Sequence, residues 1–142
     1  METFNNTLMQ ITPFEDLLRE AEAIQDIIEQ PVPEEIEAIV NWGNELLGYI
    51  ARTGKMKADA RYHLDKKKKS AIMDTLREIG KNAMPASTLN DLIKANCENE
   101  NYLYEWCERL NRSATHQLDW LRSLVSKEKE QMRLNGGFNN RS

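Results

Sequence analysis

The residues best suited to chemistry are cationic and aromatic, and they cluster. Between Arg52 and Lys69 the chain carries Arg52, Lys55, Lys57, Arg61, His63 and the run Lys66-Lys67-Lys68-Lys69, with Tyr49, Tyr62 and His63 interleaved. Cations track phosphates, and planar rings stack on exposed bases without demanding a sequence, so this combination suits single-stranded nucleic acid. The candidate contacts are Lys55, Lys57, Arg61, Tyr62, Lys66, Lys67, Lys68 and Lys69. Four successive lysines point to all sides of a helix, so one ligand meets only some of them. The most economical edge is Lys55, Arg61, Lys66 and Lys69 with Tyr62 nearby. The competing reading is a solvated helical face with no ligand.

Other reactive side chains are sparse. His63 adds a phosphate contact only when protonated and otherwise reads as a surface or interface histidine. His116 has Arg112 four residues before it and Asp119 three after it, which favours a structural hydrogen bond over acid-base work. Cys97 and Cys107 lack CxxC or histidine spacing, so buried thiols are expected rather than a metal, redox or disulfide site. No Gly-rich phosphate loop, HExxH, GxSxG or paired-carboxylate set occurs. The expectation is a protein that is not an enzyme and takes no cofactor or metal.

The charge distribution is sharply divided despite a formal net charge of only −4. Residues 1–50 hold eleven acids and the single base Arg19, residues 51–82 hold ten bases against four acids, and residues 83–142 balance. A mild overall charge therefore coexists with a local anion-attracting field. Ala, Leu, Glu, Lys, Arg, Gln and Met make up 72 of the 142 residues, against 20 Val, Ile and Thr, so the chain is expected to be all-α. With 40% apolar residues, wholesale disorder is excluded. No apolar run approaches the ~18 residues of a membrane span and no leader pattern opens the chain, which points to a cytoplasmic location, in a bacterial host cell on the reading below.

Elements that would position the basic segment follow from apolar periodicity. Thr12 is placed to cap a first helix, with Pro13 in its first turn and Glu15 closing a capping box. Phe14, Leu17, Leu18, Ala21, Ile24, Ile27 and Ile28 form its stripe, and Pro31-Val32-Pro33 stops it. This acidic amphipathic helix is either core, or dock for a basic partner, or a lid competing with nucleic acid for the basic segment. On the last reading, deleting residues 1–30 leaves the scaffold assembled and DNA binding no weaker.

A second helix runs from Glu34 to a C-cap at Gly80, with Gly43 and Gly48 allowing close approach and a kink at Thr53-Gly54. A turn at 82–85, a short helix capped by Ser87 and ending near Asn96, and a last helix from Glu98 to Leu134, ended by Gly136 and Gly137, complete the pattern. The domain reading is an acidic helix over 1–33, a long-helix oligomerising core over 34–134 and a flexible tail over 135–142.

The long stripes exceed what one 142-residue copy easily covers, and Trp42, Trp106 and Trp120 do not fall on one line. A homo-oligomeric hairpin or coiled-coil-like bundle is expected. Trp42 opening a long helix, the stretch Arg61-Tyr62-His63-Leu64-Asp65-Lys66-Lys67-Lys68-Lys69, and the terminal helix from Tyr102-Leu103-Tyr104-Glu105-Trp106-Cys107 to Lys129-Glu130-Gln131-Met132-Arg133 resemble the phage UvsY-type recombination mediators over roughly residues 34–134. The resemblance implies a ring-like homo-oligomer that binds single-stranded DNA, a strand-exchange recombinase and a single-strand-binding protein, with DNA contacts at Lys66 to Lys69. The acidic first helix and the segment between Gly80 and Glu98 depart from that pattern. The alternative is a phage or mobile-element interaction bundle that acts on a host protein through its acidic helix.

Overall fold

The computed structural model describes residues 10–79 and 84–139. Among these, four helices and no strand are present: α1 (Phe14–Ile28), α2 (Ile36–Ile79), α3 (Ala86–Asn96) and α4 (Glu98–Asn139). The all-α expectation holds. α2 has 44 residues and α4 has 42, so each extends to about 65 Å at 1.5 Å per residue.

α2 and α4 form an antiparallel hairpin, seen in the pairing of Gly43 with Leu118 and Leu121, Thr53 with Asn111, and Arg61 with Tyr104. α1 lies along the middle of that hairpin, antiparallel to α2 and parallel to α4. Glu20 meets Arg52, and Gln25 meets Trp106. The three helices share one core of Leu17, Ala21 and Ile24 from α1, Met56 and Ala60 from α2, and Leu103, Cys107 and Leu110 from α4. A second cluster of Ile39, Leu46, Ala114 and Leu121 zips the hairpin where α2 begins.

Of the three roles open to α1, its packing is that of a core helix, because Leu17 and Ala21 are fully buried and Ile24 nearly so. Burying side chains of this size contributes roughly 1.5–3 kcal/mol each for Leu and Ile. This packing runs against the expectation that residues 1–30 can be removed without loss to the scaffold, because the apolar face of α1 completes the hairpin core.

Local corrections have equally concrete causes. Pro13, not Thr12, is the residue preceding α1, and no side chain caps the helix. Thr12 Oγ1 instead accepts from Arg52 at 3.2 Å, so a tertiary partner outcompetes the capping box. α1 ends at Ile28, ahead of the prolines. α2 passes through Thr53 and Gly54 as helix, because Thr53 is buried with its hydroxyl donating to the Tyr49 carbonyl at 2.7 Å, while Asn111 Nδ2 donates to Ile50 O and Thr53 Oγ1. These bonds splint the position where a kink was expected.

α3 begins after Pro85, so Ser87 lies inside it rather than capping it. α4 continues through Gly136 and Gly137 to Asn139. Neither glycine is left-handed there, since no described residue has positive φ, and helical hydrogen bonding continues past them. The expected cap at Gly80 lies outside the described residues, as do residues 82 and 83 of the expected turn and residues 140–142 of the expected tail.

Candidate functional site

Basic residues of α2 occupy three sides of the helix. Lys57, Arg61 and Lys68 recur at near-helical spacing on the flank beside α4, Lys67 lies on the other flank, and Tyr62, Lys66 and Lys69 share the side away from the core. Arg61 belongs to a different side from Lys66 and Lys69, so the compact edge expected from the sequence is divided by helical geometry.

On the α4 flank, the Arg61 guanidinium lies 5.5 Å and the Lys57 ammonium 5.8 Å from the Tyr104 ring centroid. Arg61 is also held by Asp65, Nε donating at 3.1 Å, which keeps its proton more firmly than an isolated guanidinium. Tyr104 was not identified as a site residue from sequence, because its register against α2 depends on hairpin closure.

On the outer side, Tyr62 is 40% exposed, with the Lys66 ammonium 5.9 Å from its ring centroid. Lys66, Lys67, Lys68 and Lys69 are exposed, and none makes an ion pair among the described residues. An exposed ring beside cations that make no ion pair among the described residues is an arrangement on which a base stacks while its phosphates meet ammonium groups.

Lys55 is committed elsewhere. Its ammonium pairs with Asp59 and donates to the Gln10 carbonyl at 3.1 Å. Asp59 is buried and also accepts from the Thr12 backbone N–H at 3.1 Å. Burial raises the carboxyl's pKa, but the hydrogen bonds from Lys55 and Thr12 outweigh it and hold the group below the ordinary carboxylate value. His63 Nε2 lies 2.7 Å from the Thr12 carbonyl, which can only accept, so Nε2–H is the donor. Arg52 donates from Nε at 2.5 Å and from a terminal nitrogen at 2.6 Å to the two Glu20 oxygens. The entry to α1 therefore occupies Arg52, Lys55 and His63, leaving the lysine run open.

The His116 side chain is exposed and makes no hydrogen bond among the described residues, contrary to the structural bond expected for it. Both cysteines are buried free thiols. Burial pushes the Cys107 thiol up to about 11 and raises that of Cys97. Among the described residues no group of His, Cys, Asp and Glu is arranged to hold a metal ion, and no helix is long and apolar enough to cross a membrane.

Comparison of the chain with protein-family models, curated proteins and solved structures finds no match. The functional reading is carried by the side chains and their placement.

Proposed function

We propose that the protein is a non-enzymatic, self-associating single-stranded-DNA-binding protein acting as a recombination mediator, the role implied by the UvsY-type resemblance. The observation that carries the DNA contact is the exposed stripe Tyr62, Lys66 and Lys69, flanked by Lys67 and Lys68, in which cations lie beside a solvent-facing ring and make no ion pair among the described residues. Phosphates follow the ammonium groups and a base stacks on Tyr62. Lys57 and Arg61 over Tyr104 extend the positive field toward α4. Loading a recombinase in the presence of a single-strand-binding protein is the biological task that such a contact serves.

Titration of a labelled single-stranded oligonucleotide at two salt concentrations tests the reading. Binding that weakens steeply with salt is expected. No binding at low salt overturns it and leaves a protein-binding helix bundle as the better account.

A further inference from the structure

The two ends of the hairpin are chemically complementary. Where α2 begins and α4 runs past it, Trp120 and Leu124 line an open groove of about 740 Å³ whose other lining residues include Glu34, Glu35, Glu37 and Glu128, with Lys127 as the one base. Trp120 is 57% exposed, and none of those four acids makes an ion pair among the described residues.

At the far end of α2, about 50 Å away at 1.5 Å per residue, Met73 and Leu76 are 51% and 53% exposed. They lie between Lys69 and Arg77, with spacings of four, three and one that keep all four on one side of the helix. Glu78 projects from the opposite side, while Asp74, three positions before Arg77, flanks it on the helix surface. One end thus presents an indole in an acidic rim, and the other presents two aliphatic side chains between the cations Lys69 and Arg77.

We infer that the Trp120 groove of one copy receives the Lys69, Met73, Leu76 and Arg77 surface of a second copy, head to tail. An apolar centre ringed by complementary charge is the usual anatomy of a specific interface, and the rim charges set orientation. Within one copy the surfaces are too far apart to meet, so each chain keeps one free donor and one free acceptor. Heterologous contacts of this kind propagate, closing into a ring if the rotation permits and otherwise extending. Tyr62, Lys66, Lys67 and Lys68 stay outside the contact, so DNA and a neighbour occupy adjacent stretches of α2. The inference rests on the self-association in the proposed function and shares only Lys69 with its DNA contact.

The test is a charge exchange read by light scattering during size exclusion, with helical content checked by circular dichroism. The parent protein should show a mass above 16.5 kDa that falls on dilution and with added salt. Glu34→Lys/Glu35→Lys/Glu37→Lys and Lys69→Glu/Arg77→Glu should each weaken association by about tenfold or more, because like charges then face each other. Mixing the two variants should restore the larger species, since each altered surface then meets an opposite one. Trp120→Ser should weaken association without altering its salt dependence. A parent that is monomeric at every concentration overturns both the self-association and this contact. An oligomer indifferent to all three variants overturns this contact alone and leaves the groove to a different basic partner.

Discussion

The backbone N–H of Thr12 donates to the carboxylate of Asp59 at 3.1 Å, joining the residue pair that leads into α1 to the middle of α2, 47 positions later. The same carboxylate receives the Lys55 ammonium, and His63 one turn on donates its Nε2–H to the Thr12 carbonyl. A single buried acid therefore organises the entry of the first helix and removes one lysine from the exposed basic surface.

Asp59→Asn should lower stability near neutral pH by roughly 1–3 kcal/mol, because a buried charge-assisted bond is lost while Lys55 keeps its charge. The folded-state pKa of Asp59 lies below its unfolded value, so its stabilisation is fully present above the unfolded pKa, about 4, and disappears as pH falls through the folded one. Thermal melts from pH 7 downward should show the parent and variant curves converging in acid. A constant gap across that range would remove Asp59 from this role.

Leu17→Ala should cost about 2–5 kcal/mol, since Leu17 is fully buried against α2 and α4 and the cavity cannot readily collapse. Deletion of residues 1–30 should be worse, exposing Met56, Leu103 and Leu110 together. Urea unfolding monitored by circular dichroism measures both. A truncated protein that melts like the parent would return α1 to the status of a detachable lid.

Gly48→Ala should stabilise the protein by roughly 0.5–1 kcal/mol, because a Cβ there meets nothing within 4 Å and alanine is the better helix former. Gly43→Ala should follow the same direction, its Cβ meeting Leu118 Cδ1 at 3.6 Å, an ordinary contact. A fall in melting temperature for Gly48→Ala would show that this exposed glycine is covered by something in solution.

Lys66→Ala/Lys69→Ala should reduce the salt slope of single-stranded DNA binding by about 1.4, at roughly 0.7 per phosphate contact. Tyr62→Leu should weaken binding by about 1–3 kcal/mol per stacked base with little change in slope. Lys55→Ala should leave the slope close to the parent's, because Lys55 is already bound to Asp59 and Gln10. Fluorescence titration across a salt series separates the three. A slope that falls as far for Lys55→Ala as for the double variant would show that the Asp59 pair opens on DNA.

Local patterning in the sequence was sufficient for the helical class, the approximate span of each helix, the buried state of Leu17, Leu103 and Cys107, and the concentration of positive charge on α2. Apolar recurrence at helical spacing and uneven charge are properties of neighbouring residues, so no tertiary information is needed to read them. The tertiary structure decided which lysines are free and which ring they accompany. Lys55 is withdrawn by a carbonyl 45 positions away, Thr12 gives up its capping role to Arg52, and Tyr104 lies beside Lys57 and Arg61 through the register of the α2–α4 hairpin. Likewise α4 continues through Gly136 and Gly137 although their composition marks a stop. Each outcome depends on partners remote in the chain or on a balance of weak terms that local propensity does not contain. Packing of α1 onto the hairpin brings the partners of Lys55 and Thr12 together, and closure of the hairpin sets the place of Tyr104.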